Sequence, residues 1–277
     1  MPERNVSPAG REILSYYEGI DEAGRLVRGA GPLEFARMQE LLGRFLPAPP
    51  GVVLDVGGGS GRYACWLAGL GYEVHLVDPV EKHVAQARVA SRAQPEHPVA
   101  SVSLGDARSL DQADGSVDAV LLMGPLYHPT ERDDRLAALR EAHRVLKPGG
   151  VVMAKAVNRF ASLLDGLTEG YIDDPDFVPI LRRDLKDGQH RGLPDDVGYF
   201  TTAFFHRPEE LEAEVLEAGF VQPGTYAVQG PGAVATDLDG RMSDPAKRAQ
   251  LLDLIRTVEA ERTLLGMSAH FVVAATR

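Results

Sequence analysis

A glycine-rich stretch in the first quarter of the chain carries the residue types best suited to holding a ligand. Residues 52–56 form an apolar run that contains Asp55, and the glycines at 57, 58, 59 and 61 follow it directly. Glycine lacks a Cβ atom, so the backbone can adopt a positive φ and a ligand can approach it closely. Residues 63–68 have the composition of a buried helix, whose first N–H groups lack intrahelical partners. A strand, a glycine turn and a helix start in this order predict a binding site.

The spacing of these glycines selects among possible ligands. A dinucleotide-binding turn has the pattern Gly-x-Gly-x-x-Gly or Ala. Counting from Gly57 and Gly59 places Arg62 at the third small position, where it does not fit. The sequence instead reads Asp-x-Gly-x-Gly-x-Gly from Asp55 to Gly61. This departure disfavours a nicotinamide-dependent oxidoreductase. Such an enzyme stays open as an alternative, because it would also use an acid such as Asp78 to bind the ribose of its cofactor.

Further polar motifs follow the next predicted strands. Asp78 and Pro79 follow residues 73–77, Gly105-Asp106-Ala107 follows 99–104, and Met123-Gly124-Pro125-Leu126-Tyr127-His128 follows 117–122. With Leu146-Lys147-Pro148-Gly149-Gly150 before the next strand, this series resembles the class I S-adenosylmethionine-dependent methyltransferases. The resemblance is specific over about residues 50 to 157 and covers the rest of the chain in outline.

The resemblance implies S-adenosylmethionine as the methyl donor and S-adenosylhomocysteine as the product. In this family the acid at the position of Asp55 faces the amino group of the cofactor. The acid at the position of Asp78 accepts hydrogen bonds from the ribose hydroxyls, and the acid at the position of Asp106 accepts one from the adenine amino group. The cofactor-binding residues that it predicts are Asp55, Gly57, Gly59, Gly61, Asp78, Pro79, Asp106, Ala107 and Met123. In the N-terminal segment, Tyr16, Tyr17 and Arg25 are further candidates to close over the cofactor and bind its carboxylate. Core packing is the alternative for either tyrosine.

Methyl transfer from a sulfonium needs alignment and a dry site more than it needs a strong acid. A phenol, amine or carbon acceptor would also need a base to remove its proton. The candidate bases are His128 and Tyr127, after the fourth strand, and His206, with a structural role as the alternative. The neighbouring acids Asp133 and Asp134 suggest a metal site, but acids in the first turn of a helix complement its dipole. We therefore predict no metal.

The elements that position these residues follow from the alternation of strand and helix patterns between residues 52 and 157. Short apolar runs separated by helices predict an α/β fold, a doubly wound, mostly parallel sheet covered on both faces. The resemblance implies seven strands in a Rossmann-like arrangement. The prolines at 47, 49 and 50 separate an N-terminal helical arm or cap of residues 1–50 from a methyltransferase domain of residues 51–277. Residues 158–207 are rich in aromatic side chains and show no clear period, which predicts an irregular lid inserted in that domain.

The remaining patterns bear on the C-terminal elements and on partners. We predict helices at 208–218 and 246–264 and strands at 220–228 and 270–275. The formal charge of -11 disfavours nucleic acid as a partner. No apolar run is long enough to span a membrane and no signal peptide is recognisable, so we expect a cytoplasmic protein. The single cysteine excludes an internal disulfide.

The sequence indicates the methyl acceptor less directly than the methyl donor. The run from Gly124 to Tyr127 lacks the amide or carboxylate found in family members that methylate nucleic acid bases. The aromatic lid favours a small acceptor, apolar or aromatic, methylated at oxygen, nitrogen or carbon. The C-terminal half resembles bacterial small-molecule methyltransferases, some of which act in secondary metabolism. A non-catalytic S-adenosylmethionine-binding protein and a homodimer built on the arm or on the 246–264 helix both stay open.

Overall fold

The computed structural model describes residues 8–192 and 198–277. The N-terminal segment forms three helices, α1 (Pro8–Gly19), α2 (Glu22–Arg25) and α3 (Gly31–Phe45). Helix α3 buries Met38, Leu41 and Leu42 against Val53 of the first strand, so it contributes to the core of the sheet. The division into an arm of residues 1–50 and a domain of residues 51–277 stays a prediction.

Seven strands form one sheet, and their bounds are β1 (Val52–Val56), β2 (Glu73–Asp78), β3 (Ser101–Leu104), β4 (Val117–Leu122), β5 (Leu146–Val157), β8 (Val221–Ala227) and β9 (His270–Thr276). Their order is β3-β2-β1-β4-β5-β9-β8. The first five strands pair in parallel, whereas β9 is antiparallel to both β5 and β8. The predicted doubly wound, mostly parallel sheet of seven strands is confirmed.

Helices cover both faces of this sheet. Residues of α4 (Arg62–Gly69) and α5 (Glu81–Arg92) pack on one face, together with α3. Residues of α6 (Arg132–Val145) and α9 (Pro208–Glu217) pack on the other. The central strands are therefore buried on both sides, which explains why their sequences are apolar without alternation. The parallel strands all end at one edge, and the glycine turn lies there.

The segment between β5 and α9 is more regular than the sequence pattern suggests. It contains α7 (Ala161–Thr168), a short 3₁₀ helix (Tyr171–Asp173) and α8 (Phe177–Asp187). Strands β6 (Gln189–His190) and β7 (Ala203–Phe204) then form a small antiparallel sheet. The expected irregularity is wrong for most of this stretch, since α8 buries Phe177, Ile180 and Leu181 at helical spacing. That the stretch acts as a lid stays a prediction. Residues 193–197 of the predicted lid lie outside the described part of the chain.

The C-terminal region differs from expectation in helix length. Helix α10 (Leu238–Ser243) was not predicted, and α11 (Pro245–Val258) ends earlier than the predicted 246–264. Asp244 caps α11 by accepting hydrogen bonds from the N–H groups of Ala246 and Lys247. No helix in the described ranges is both long and apolar enough to cross a membrane.

Candidate active site

The turn after β1 is held in a conformation that glycine adopts most easily. Gly57, Gly59 and Gly61 have φ angles of +69°, +57° and +85°. A Cβ atom at Gly57 would lie 2.8 Å from the ring of Pro125, and one at Gly61 would lie 3.0 Å from the Cβ atom of Ala87. At Gly59 it would meet no atom of the described residues within 4 Å. Packing therefore requires Gly57 and Gly61, whereas Gly59 borders open space in which a ligand fits.

Asp55 is a buried carboxylate without a counterpart. Its exposed fraction is 0%, and neither oxygen has a hydrogen-bond partner among the described residues. Burial, with the charge of Asp78 adding to it, raises the pKa of Asp55 to about 7, against a weak opposing contribution from the backbone N–H of Ala64. A buried carboxylate without donors is costly until a donor or a cation binds it. The arrangement fits a ligand that carries an ammonium group.

Asp78, at the end of β2, is buried and held by three donors. Its Oδ2 accepts from the N–H of Gly59 at 2.8 Å, and its Oδ1 accepts from the N–H of Val80 at 2.9 Å. The Nδ1 atom of His83 lies 3.1 Å from the same Oδ1. A carboxylate offers about four lone-pair positions, so these contacts leave room for a ligand hydroxyl. Asp78 thus joins the glycine turn directly to the end of β2.

Asp106, after β3, is more exposed and is bound by its neighbour Arg108. The guanidinium donates to both carboxylate oxygens, at 3.0 Å and 2.7 Å, and also reaches Asp134 at 2.9 Å. Asp133 and Asp134 lie in the first turn of α6. Across residues 8–192 and 198–277, no group of three or more His, Cys, Asp or Glu residues is arranged to hold a metal.

The other predicted residues at this edge differ in burial. Pro79 is exposed directly after Asp78, and Ala107 is half-buried. Met123 is buried, and its carbonyl oxygen accepts a hydrogen bond from the hydroxyl of Tyr127. The ends of β2, β3 and β4 therefore converge beside the glycine turn, as the strand order predicts.

Helix α1 closes over this edge through Tyr17. The Tyr17 hydroxyl lies 2.8 Å from Nε2 of His128, and its ring packs edge to face on His83 with centroids 5.2 Å apart. Lys82 donates to the carbonyl oxygens of Tyr17, Glu18 and Ile20 at 3.2, 2.8 and 2.8 Å. The position of the arm is thus set by residues that follow β2 and β4.

A cavity of about 390 Å³ lies between the arm, the ends of β4 and β5, and the lid. Aromatic rings dominate its lining, with a few charged groups toward the arm and α7. The lining residues are Tyr16, Tyr17, Glu22, Arg25, Tyr127, Val157, Ala161, Ser162, Asp165, Glu169, Tyr171, Phe177, His190, Gly198, Tyr199, Phe200, Phe205, Ala269 and His270. Tyr17 lines this cavity and also contacts His83, the partner of Asp78. The cavity therefore adjoins the predicted cofactor site.

Comparison with known proteins agrees with this geometry. Residues 53–150 match a family model described as a methyltransferase domain. The chain is similar to the ubiquinone/menaquinone biosynthesis C-methyltransferase UbiE of Rubrivivax gelatinosus, with 36% identity over 98 residues, covering 35% of this chain and 36% of that protein. It is also similar to the methyltransferase GfsG of Streptomyces halstedii, with 34% identity over 186 residues, covering 59% and 61%. The matched residues are a methyltransferase domain, and they carry the motifs that resemble the class I S-adenosylmethionine-dependent methyltransferases.

The solved structures support the same fold. A SAM-dependent methyltransferase from Methanosarcina mazei has a TM-score of 0.58 and 18% identity, covering 86% of this chain and 96% of that chain. At that identity the likeness shows the fold alone. The two curated alignments each span less than two thirds of the relative's own length.

S-adenosylmethionine is the cofactor of this family, and the residues at the strand ends fit it. The buried carboxylate of Asp55 suits the amino group, the open space beside Gly59 suits the methionine portion, and Asp78 and Asp106 stand where ribose and adenine would lie. These residue assignments stay predictions. Their geometry gives each a specific role to test.

That Arg25 binds the cofactor carboxylate stays a prediction, and in this structure its guanidinium is already paired with two acids. Its guanidinium donates to Glu22 at 2.8 Å and to both oxygens of Glu34, at 2.8 Å and 3.3 Å. Buried Lys155 donates to the same Glu34 at 2.7 Å. Although burial opposes it, the charges of Arg25 and Lys155 hold the pKa of Glu34 well below its usual range. The charge of Arg25 is thus balanced within the protein.

The role of His206 as a base stays a prediction, and the residue lies away from the cavity. It is fully buried, does not line the cavity, and its Nε2 lies 3.3 Å from Glu214, which Arg135 also binds. Burial lowers the pKa of His206, although the hydrogen bond to Glu214 opposes the shift. The ring lies against Phe204, with centroids 4.7 Å apart. Its position supports packing between the lid and α9 rather than contact with an acceptor.

The two candidate bases after β4 are already engaged. The hydroxyl of Tyr127 donates a hydrogen bond to the carbonyl oxygen of Met123, and burial raises the pKa of Tyr127. His128 uses Nε2 toward Tyr17, and its Nδ1 lies 3.3 Å from the carbonyl oxygen of Thr202. Burial lowers the pKa of His128 to about 4, so its ring is neutral at neutral pH. Both side chains are arranged to position the arm and lid.

The sequence analysis missed a buried acid and histidine in the lid. Asp184 on α8 accepts from the hydroxyl of Ser162 at 2.5 Å and from Nδ1 of His190 at 2.8 Å. Asp184 follows Phe177, Ile180 and Leu181 at helical spacing, and all four are buried. An acid on the core-facing stripe of a helix is the signal that would have identified it.

Proposed function

We propose that this methyltransferase transfers the methyl group of S-adenosylmethionine to a small, largely apolar or aromatic acceptor bound in the cavity between the arm and the lid. The cavity carries the proposal because Tyr17, which lines it, also contacts His83 after β2 and His128 after β4. An acceptor there would lie beside the predicted cofactor rather than on the open surface. Exclusion of water from such a site favours the transfer.

The size and lining of the cavity support a small acceptor. A volume of about 390 Å³ lies within the range of small-molecule pockets, about 300–1,000 Å³. Phe200 and Phe205 supply flat apolar surface on the lid side, and Tyr16 supplies it on the arm side. Phe200 packs edge to face on Tyr16, with centroids 5.7 Å apart. Contacts between arm and lid of this kind close the cavity over a ligand.

Charge supports the same class of acceptor. The acids Glu22, Asp165 and Glu169 border the cavity, and the formal net charge of the chain is -11. Both would repel a polyanion such as a nucleic acid. UbiE is named a C-methyltransferase of quinone biosynthesis and GfsG a methyltransferase. A role in secondary metabolism, a cytoplasmic location and a homodimer stay predictions.

The first test separates the donor hypotheses by calorimetry. S-adenosylhomocysteine should bind the purified chain, and NAD should not. Binding of NAD without a response to S-adenosylhomocysteine would favour the nicotinamide alternative. Methyl transfer is then measured with labelled S-adenosylmethionine and a panel of phenols, hydroxyquinones, aromatic amines and activated aromatic carbons. Cofactor binding without any product across the panel would favour a non-catalytic binding protein.

A cavity-filling variant tests where the acceptor binds. Ala161 is buried at the start of α7 and lines the cavity, so Ala161→Phe should abolish transfer to the best acceptor while leaving S-adenosylhomocysteine affinity within about twofold. Ala113→Phe, on an exposed loop, is the matched control and should retain activity. Full transfer by a folded Ala161→Phe enzyme would place the acceptor elsewhere.

A further inference from the structure

We propose that His190, held by Asp184, is the general base that removes the proton from an acceptor hydroxyl, so that this enzyme methylates oxygen. The inference rests on the proposed function and adds to it the class of acceptor and the residue that activates it. It is carried by one buried nitrogen atom, Nε2 of His190, which has no hydrogen-bond partner in the described structure and belongs to a ring that lines the cavity.

The partner of Nδ1 determines what Nε2 can do. An ionised Asp184 only accepts hydrogen bonds, so the 2.8 Å contact requires that Nδ1 of His190 carry a proton. In the neutral imidazole, Nε2 is then unprotonated and acts as an acceptor. His190 is 2% exposed, its Nε2 has no hydrogen-bond partner among the described residues, and its ring lines the cavity.

The ring is held in place from several sides. Phe205 stacks on it, with centroids 4.6 Å apart and planes 10° from parallel. The backbone of His190 pairs with Ala203 in the lid sheet, and Ser162 fixes Asp184 from α7. A base that is already oriented loses little freedom when the acceptor binds.

Other histidines in the described chain do not offer this arrangement. His83 and His206 each leave one ring nitrogen without a partner there, but neither lines the cavity. His128 uses both nitrogens for the arm and the lid, at 2.8 Å to Tyr17 and 3.3 Å to Thr202. His190 therefore combines an unprotonated, unpartnered and buried Nε2 with a ring that lines the cavity.

His270 also lines the cavity but has the opposite tautomer. The backbone N–H of His270 donates to Oε1 of Gln229 at 3.1 Å. The amide nitrogen of Gln229 consequently faces Nδ1 of His270 at 2.9 Å and donates to it. The proton of His270 therefore resides on Nε2, which is a donor. Two imidazole rings of opposite tautomer thus line the cavity, one with an acceptor and one with a donor at Nε2, a pair suited to a hydroxyl or carbonyl-bearing ring.

The proposed step balances protons and electrons. The acceptor hydroxyl transfers its proton to Nε2 of His190, and an oxygen lone pair forms the new O–C bond. When bound, S-adenosylmethionine supplies the methyl carbon, and its C–S bond breaks with the electron pair remaining on sulfur. The imidazolium of His190 is stabilised by the carboxylate of Asp184 and later releases its proton to solvent. A hydroxyl needs this base because its protonated form is a weak nucleophile, whereas a neutral amine already offers a lone pair.

The test uses 4-nitrophenol, whose ionised form absorbs at a longer wavelength than its protonated form. The probe is added to the S-adenosylhomocysteine complex at a pH where the free probe is mostly protonated. The unaltered protein should show the absorption of bound phenolate, because Nε2 of His190 takes the proton. His190→Gln should lose this band while S-adenosylhomocysteine affinity is unchanged. Its turnover with the best hydroxyl acceptor should fall about 10²-fold or more.

Control variants separate this role from a structural one. His97→Gln changes an exposed histidine and should leave the band and the turnover unchanged. Asp184→Asn keeps the shape of the side chain and removes the charge that stabilises the imidazolium, so it should weaken the band even if His190→Gln folds poorly. A retained band in either folded variant overturns the proposal. Amine products with no hydroxyl product and no bound phenolate also overturn it but leave the proposed function standing, whereas failure to bind S-adenosylhomocysteine overturns both.

Discussion

Replacing Asp55 with asparagine should stabilise the free protein at neutral pH and weaken its cofactor binding. Asn has nearly the same shape and removes the buried charge that has no partner in the described structure. The carboxylate form is disfavoured in the folded state, where the pKa is raised from 3.8 to about 7. The free energy of unfolding contributed by Asp55 therefore falls as the pH rises from about 4 to about 7, and is constant above that.

The magnitude follows from the pKa. A shift of about three units corresponds to ~4 kcal/mol at full ionisation, which is the largest gain that Asp55→Asn can bring. Between pH 5 and pH 8 the unaltered protein should therefore lose about 2–3 kcal/mol of its free energy of unfolding through Asp55, and the variant should not. Since an ammonium ligand would restore the partner of Asp55, S-adenosylhomocysteine should bind the variant more weakly.

Urea unfolding at pH 5 and pH 8, with and without S-adenosylhomocysteine, measures both effects. Asp118→Asn is the opposite control. Although burial opposes the shift, hydrogen bonds from Lys147 and the N–H of Val52 lower the pKa of Asp118. That variant should therefore lose stability. Equal pH dependence of unfolding in the Asp55→Asn variant and the unaltered protein would refute the reasoning, as would unchanged cofactor affinity.

Three further changes test the turn, the arm and the buried ion cluster. Gly59→Ala should lower the free energy of unfolding by about 1–2 kcal/mol because of its φ of +57°, and calorimetry should show weaker S-adenosylhomocysteine binding; no change in either would contradict the role of the turn. Tyr17→Phe should remove about 0.5–1.5 kcal/mol by losing the hydrogen bond to His128, detected as faster proteolysis of the arm. Lys155→Met should cost about 3–5 kcal/mol in urea unfolding, because Glu34 would keep a buried charge with one cation fewer. The double variant Lys155→Met with Glu34→Gln should recover part of this loss, and a single variant of normal stability would argue against the ion cluster.

The parallel part of the sheet was predictable because its signals are local. Strands β1 and β4 occupy 52–56 and 117–122, the bounds that the apolar runs predict. Each run is bounded by turn residues, and both faces of each strand are buried, so the pattern within a few residues is sufficient. Helix α11 was less predictable, since its end at Val258 depends on packing rather than on a glycine or proline.

The candidate site also contains a part that local sequence predicts and a part that depends on packing. The glycines at 57, 59 and 61 and the acids after β2 and β3 lie at predictable strand ends. The partners of Arg25 were not predictable, because Glu34 competes with any ligand only after α2 and α3 have packed together. Similarly, His128 meets Tyr17 across 111 residues of sequence.

By itself, the sequence determined the α/β architecture, the glycine turn and the methyltransferase domain of residues 53–150. These depend on short-range patterns: apolar runs, residues that permit positive φ, and acids at strand ends. Only the tertiary structure decided which of the eight histidines line the cavity, and on which ring nitrogen each carries its proton. The tautomer of His190 depends on Asp184, and its access depends on how the lid packs against the arm. Burial and hydrogen-bond partners arise from contacts between distant segments, and no single stretch of sequence encodes them.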